Sequence, residues 1–179
     1  MAEASLEGTE SQETAGRDAG AAREQAASLA DEASFDAAAG RYVVAGEKYA
    51  RAAELVAFDA EAQSLFLLRR ARVLLANGEP LEALSLYREV AQLRPRSQSG
   101  RFWAVLQTDI GALLTKLGER EASTERCEEA IAAFKDALEV STYDKSPEDW
   151  ARACGGLGWP LALLGTKEEG TASVEEALS

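Results

Sequence analysis

A set of small and aromatic residues recurs along this chain at intervals of about 40 residues. In the clearest copy, the small residues Ala71, Gly78 and Ala83 are followed by Tyr87 and Pro95. Small residues at this spacing let two helices cross closely, the glycine ends the first helix, and the proline ends the second. The spacing therefore predicts an array of helical hairpins, a design that supplies a binding surface rather than a reaction site.

The same pattern occurs before and after this segment. A shift of about 38 residues aligns an earlier copy with it, and two later copies, which contain Trp103 and Trp150, align with each other at about 47 residues. The predicted repeats cover residues 22–57, 59–95, 98–141 and 146–179, the last of them incomplete. Each repeat has one glycine that we expect to end its first helix: Gly40, Gly78, Gly118 and Gly165.

Together, these residues resemble a tetratricopeptide repeat array. The second half is similar to a long-repeat bacterial subtype with L-G-E-R-E and E-E-A segments, and residues 117–121 match the first of these. The resemblance covers about residues 26–179 and implies an all-α fold, an α-solenoid of about four stacked antiparallel hairpins. It implies binding of a protein or peptide without identifying the partner, because such arrays serve many partners.

Eight helices are predicted, at about residues 22–38, 42–56, 60–76, 80–93, 99–117, 121–141, 147–164 and 168–178. Residues 1–20 hold one large apolar residue after the initiator methionine, Leu6, and carry five acidic side chains against one arginine. Such a segment cannot bury enough apolar surface to offset its ordering entropy. We expect a disordered acidic leader there, followed by the repeat domain at residues 21–179.

The last repeat departs from the pattern. Pro160 lies inside the predicted seventh helix, after Gly155, Gly156 and Gly158, and predicts a kink or a shortened helix. Two interpretations are open: a bent edge presents Trp159 to a partner, or Trp159 packs on its neighbour in a weakened terminal repeat. We expect that the chain either is a fragment of a longer array or stacks its final hairpin on another subunit or a partner, through apolar surface around Trp159, Leu163, Val174 and Leu178.

Charge and composition limit the partners. A net charge of -12 and a pI near 4.6 oppose binding to nucleic acid or to anionic membranes, both of which require clustered Lys and Arg. The sequence contains no secretory segment and no apolar run of membrane-spanning length, so a cytoplasmic protein is expected. Cys127 and Cys154 are too few for a disulfide framework, and free thiols are expected.

The sequence provides little catalytic chemistry. It has no histidine, which removes the commonest general base and most zinc sites, and no phosphate-binding glycine motif. The glycines at 155–158 indicate a weakened helix, and the carboxylates between Glu119 and Glu129 indicate a solvated helix face. We therefore expect no enzymatic activity, catalytic residue, cofactor or metal.

The resemblance assigns partner binding to a concave face lined by the first helix of each hairpin. The lining residues would be Leu65, Leu68, Arg69, Arg72, Leu75, Val105, Thr108, Asp109, Ala112, Lys116, Arg152 and Trp159. Its cations predict an acidic or amphipathic peptide or helix as ligand, unless the arginines pair with carboxylates such as Glu82 or Asp109. Arrays that bind the C-terminal carboxylates of chaperones resemble one another in using two asparagines on their first helices. This chain has a single asparagine, Asn77, so such a carboxylate clamp is not expected. A self-assembling scaffold is the alternative function.

Overall fold

The computed structural model describes the backbone of residues 2–177 and the side chains of residues 16–165. Within residues 2–177 the chain is all-α, with no strand, and its helices pack against neighbours in sequence, which confirms the predicted fold class. The seven helices of this range are α1 (Ala2–Ala38), α2 (Tyr42–Leu55), α3 (Ala60–Ala76), α4 (Pro80–Leu93), α5 (Arg96–Glu121), α6 (Thr124–Val140) and α7 (Pro147–Ala177).

The turns after α1 and α3 have the same construction. Gly40 and Gly78 both adopt positive φ, at 76° and 85°. In each turn the amide of the residue after the glycine donates to the carbonyl five residues back, Arg41 to Asp36 at 2.8 Å and Glu79 to Leu74 at 2.9 Å. This is the arrangement in which a left-handed residue closes a helix C-terminus. The predicted roles of these two glycines are therefore confirmed.

The turn after α5 differs from the prediction. Gly118 lies within α5, and the left-handed position is taken by Ala122 at φ 53°, with the Ser123 amide donating to the Gly118 carbonyl at 2.9 Å. A side chain at Gly118 would place its Cβ 2.9 Å from the Cys127 sulfur. Gly118 is thus required by the close approach of α5 and α6. An alanine in the left-handed region costs roughly 1–2 kcal/mol.

Helix α1 begins at Ala2, in a stretch for which the sequence predicted a disordered leader to residue 20. The expectation rested on the lack of apolar residues that could be buried. Helix formation depends also on local propensity, and alanine and glutamate, which each occur four times in residues 1–20, are among the strongest helix formers. The helical backbone is therefore consistent with local propensity.

Helix α7 is longer than predicted. It continues through Pro160 and Gly165 to Ala177, so the expected shortening at Pro160 and the separate helix at 168–178 are wrong. Pro160 is fully buried, and burial of its apolar ring offsets part of the hydrogen bond that an interior proline removes. The side chains of Val174 and Leu178, expected in a stacking surface, lie outside the described residues.

The chain divides into two compact units, Met1–Leu86 and Tyr87–Ser179, with the division inside α4. In the first unit, α1, α2 and α3 pack around Ala30, Ala33, Ala45, Tyr49 and Val73. Three of these residues are alanines, and Ala33 and Ala45 are completely buried. The small residues predicted at helix crossings therefore lie in the core.

Two aspartates of the first unit fix its helix ends. Asp36 of α1 forms an ion pair with Lys48 of α2 at 2.9 Å and accepts hydrogen bonds from Arg41, and these two cations hold its pKa below the ordinary value. Asp59 caps α3 by accepting from the Ala62 amide at 3.1 Å and also binds Arg23 of α1 at 3.0 Å. The three helices are thus joined by ion pairs around the apolar core.

The second unit is centred on Phe134 of α6, which is 1% exposed. Its ring lies against two glycines on different helices, Gly111 of α5 and Gly156 of α7. A Cβ on Gly111 would lie 2.9 Å from the ring, and one on Gly156 would overlap the ring still more. Gly156, which the sequence indicated as a helix-weakening residue, instead provides the space for this ring.

Two adjacent glycines of α7 test this contact. Gly156→Ala is expected to lower the free energy of unfolding by about 1–3 kcal/mol, because the Phe134 ring is enclosed and cannot move away from the new methyl group. Gly155→Ala has no atom within 4 Å of its new methyl group and should raise the free energy of unfolding by about 0.5–1 kcal/mol through helix propensity. Urea unfolding followed by circular dichroism measures both. Effects of the same sign would contradict the packing described.

Candidate functional site

A groove of about 480 Å³ opens between the three helices of the first unit. We call it the basic groove. Its described lining consists of Ser34 and Ala37 of α1, Tyr42 and Tyr49 of α2, and Arg69, Arg72, Val73 and Ala76 of α3. Residues from each helix recur at spacings of three, four or seven, as expected when one face of a helix lines a groove. The groove therefore follows directly from the packing of α1, α2 and α3.

The floor of the basic groove is part of the core. Tyr49 and Val73 are 5% and 7% exposed and belong to the central apolar cluster. Ser34 donates its hydroxyl hydrogen to the Ala30 carbonyl, so the Tyr49 hydroxyl is the donor in the 2.9 Å bond between Tyr49 and Ser34. The floor is therefore held by apolar burial and by two linked hydrogen bonds.

The rim of the basic groove carries two uncompensated charges. Arg69 and Arg72 are exposed, and neither makes an ion pair or a side-chain hydrogen bond within residues 16–165. None of the described lining residues is acidic. Within the first unit, the alternative pairing of these arginines with Glu82 is therefore not formed. Both guanidinium groups are available to bind an anion.

A second groove of the first unit, about 160 Å³, has the opposite character. Glu47 of α2, Glu79 and Glu82 all line it, together with Arg70 of α3. The Nε of Arg70 is buried without a hydrogen-bond partner among the described residues. With three carboxylates and one guanidinium group, this acidic groove is an unsuitable site for an anion.

The second unit contains a groove of about 370 Å³ between α4, α5 and α6. Its arginine, Arg88, is already bound to Glu129, which also lines the groove, and Asp136 adds a further carboxylate. The charges at this groove are therefore largely satisfied within the protein. Of the three grooves, the basic groove is the one whose described lining contains cations and no carboxylate.

The remaining predicted residues of α3 lie near this site without lining it. Leu65 is half-exposed, whereas Leu68 and Leu75 are half-buried. In the second unit, Val105 is half-buried, and Ala112, Lys116 and Arg152 are exposed. Arg152 lies 3.7 Å from Asp149, so its charge is partly compensated. Trp159 is 54% exposed, and Leu161, two residues further along α7, is 48% exposed.

Thr108 was expected to face a partner, and this prediction is wrong. Its side chain is 4% exposed, and its hydroxyl donates to the Ala104 carbonyl one turn earlier at 3.0 Å. A threonine that satisfies its hydroxyl within its own helix can be buried at little cost, which sequence spacing does not reveal.

Sequence reasoning found the two arginines of the basic groove and missed most of the other lining residues. Tyr42 and Tyr49 lie seven residues apart on α2, which places them on one helix face, and this spacing was an available signal. Ser34, Ala37 and Ala76 carry no distinctive signal, because small residues are common throughout the chain.

The described residues show no other prominent chemical site. Within residues 16–165 no three His, Cys, Asp or Glu side chains are arranged to hold a metal ion. Cys127 is buried and Cys154 is half-buried, and both are free thiols. Among the described helices, none combines the length and apolarity that a membrane crossing requires.

Comparison with known proteins adds no assignment. No protein-family model matches the sequence, and no curated protein matches it. The geometry and charge of the basic groove therefore carry the functional argument.

The ionisation of Asp109 provides a pH-dependent prediction. Atoms around its carboxyl desolvate it and raise its pKa, and the charge of Arg152 opposes this to a smaller extent. A raised pKa in the folded state means that stability falls as pH rises from the unfolded value near 3.8 through the folded value. Asp109→Asn should therefore raise the melting temperature at pH 7.

This gain should disappear below about pH 3.5, where folded and unfolded chains both carry a protonated Asp109. Asp136→Asn removes the same charge from α6 and is the matched control. Melting temperatures measured across this range by circular dichroism test the assignment. A loss of stability at pH 7 in Asp109→Asn would contradict it.

Proposed function

We propose that this chain is a non-catalytic protein-interaction module of the tetratricopeptide type, which binds a peptide or a helix of a partner protein in the basic groove. The observation that carries this proposal is the pair Arg69 and Arg72, both without an ionic partner among the described residues, at the rim of a groove with an apolar floor. Three consecutive helices, α1, α2 and α3, line the groove, so the site belongs to one compact unit.

The architecture supports this function. Alanine-rich helix crossings keep α1, α2 and α3 close, and the turns at Gly40 and Gly78 close α1 and α3 with the same hydrogen-bond pattern. Helical hairpins in register create extended surfaces without needing a reactive centre. The proposal therefore assigns no catalytic residue, cofactor or metal, and it places the protein in the cytoplasm, where free thiols persist.

The composition of the groove supports a mixed polar and apolar ligand. Ala37, Val73 and Ala76 supply apolar contact, and Tyr42 and the arginines supply polar groups. Ligand sites in proteins commonly combine an apolar lining with a few polar groups that fix orientation. A peptide with one apolar face satisfies both parts, and this is the mode in which amphipathic helices dock into grooves.

A steric block tests the proposal without changing charge. Ala76 is exposed at the end of α3 and lines the groove, so Ala76→Trp should fill the space with an indole ring. Peptides selected by display on the unaltered chain should bind the Ala76→Trp variant at least tenfold more weakly. Ala27→Trp, at an exposed position of α1 that is absent from the described lining, is the matched control.

Circular dichroism confirms that both variants remain folded. Selected peptides that bind both variants as tightly as the unaltered chain would show that the basic groove is not the docking site. Failure to select any peptide that competes for the groove would also contradict the proposed function.

A further inference from the structure

The arginines of α3 line two different grooves, one basic and one acidic. Arg69 and Arg72 line the basic groove, whereas Arg70 lines the acidic groove with Glu47 and Glu79. With 3.6 residues per turn, neighbouring residues point in different directions, and residues three apart share a face. The two arginines of the basic groove are therefore directed together, one turn apart on the same helix.

The spacing of these arginines specifies a ligand. Resting on the function proposed above, we infer that the bound segment is an acidic helix that presents two carboxylates about one helical turn apart, one to Arg69 and one to Arg72. Residues three or four apart on a helix have Cβ atoms about 5–6 Å apart, so the two arginines match two carboxylates on a ligand helix beside α3. Each guanidinium group can bind its carboxylate through two parallel hydrogen bonds.

The apolar part of the groove favours a helical ligand. Ala37, Val73 and Ala76 are small, and they lie on the same side as the arginines. Small side chains let a second helix approach closely, so that an apolar face of the ligand covers them while its carboxylates reach the rim. The groove volume of about 480 Å³ accommodates a few side chains of such a helix.

A single phosphate group matches this geometry less well. It would draw the two guanidinium groups to one point against their mutual repulsion. It would also leave Ala37, Val73 and Ala76 without an apolar partner. Two separate carboxylates avoid both costs, because each charge is neutralised at its own position along α3.

The net charge of -12 does not prevent recognition of an acidic ligand. At physiological salt, charges beyond about 8 Å are largely screened, so the groups nearest to the ligand dominate. The described lining contains two positive groups and no negative one. The local field at the groove therefore favours carboxylates even though the chain as a whole is acidic.

Three synthetic peptides distinguish the ligand classes. Each is an alanine-based helix of the same length, labelled for fluorescence anisotropy: the first carries two glutamates four residues apart, the second carries glutamines there, and the third carries one phosphoserine. The full chain should bind the glutamate peptide at least tenfold more tightly than the glutamine peptide, as expected for charge-assisted hydrogen bonds.

Variants of the chain link this preference to the arginines. The double change Arg69→Gln and Arg72→Gln should abolish the preference for glutamate over glutamine. The control variant, Arg51→Gln with Arg88→Gln, removes the same charge from exposed positions outside the groove. It should retain the preference for the glutamate peptide. The double change to lysine keeps the charge but loses the planar fork, so it should retain an intermediate preference.

Two outcomes would overturn this inference while leaving the proposed function intact. In one, the glutamine peptide binds as tightly as the glutamate peptide, yet Ala76→Trp still blocks binding. In the other, the phosphoserine peptide binds the groove most tightly. If Ala76→Trp affects neither these peptides nor those selected by display, the groove is not a docking site, and the proposed function fails together with the inference.

Discussion

Close approach of helices at residues with little or no side chain is the constraint on which this structure depends. In the first unit, Ala33 and Ala45 let α1 and α2 meet around the Tyr49 ring. In the second unit, Gly111 and Gly156 leave the space that the Phe134 ring fills. Each unit thus places one aromatic ring where the neighbouring positions are small. Because protein interiors are packed to high density, a single added methyl group at such a position destabilises the helix contact.

The basic groove is a consequence of the same packing. Tyr49 and Val73 serve both as core residues and as the groove floor, so the groove cannot change shape without disturbing the core. Ion pairs at Asp36 and Asp59 fix the ends of the surrounding helices. The arginines at the rim, in contrast, take no part in the described ion pairs. Stability and binding are therefore assigned to different residues of the same three helices.

Much of the fold was predictable because the signals were local. The spacing of small residues predicted the helices from Tyr42 to Leu93 almost to the residue, and the positive φ of Gly40 and Gly78 follows from their position after a helix. Gly118 was misplaced because glycine serves two purposes, a left-handed turn and a close helix contact, and sequence spacing alone does not separate them. The helix shortening predicted at Pro160 was wrong because burial of the proline ring offsets part of the cost that a proline imposes on a helix.

The candidate site was less predictable, because a groove depends on which residues of three helices meet. The arginines were visible as cations on one predicted face, whereas the contributions of Ser34 and Ala37 depend on the packing of α1. Burial of Thr108 likewise depends on a hydrogen bond within its own helix. Whether an arginine is paired cannot be read from the sequence, since it depends on the positions of all neighbouring carboxylates.

The most direct test of the account is nuclear magnetic resonance of the ¹⁵N-labelled chain with the two-glutamate helical peptide. The side-chain Nε–H signals of arginines report whether each guanidinium group gains a carboxylate partner. The account predicts that the signals of Arg69 and Arg72 shift as peptide is added and that the signal of Arg88, already paired with Glu129, does not. Shifts confined to Arg88 or to other positions outside the basic groove would contradict the account.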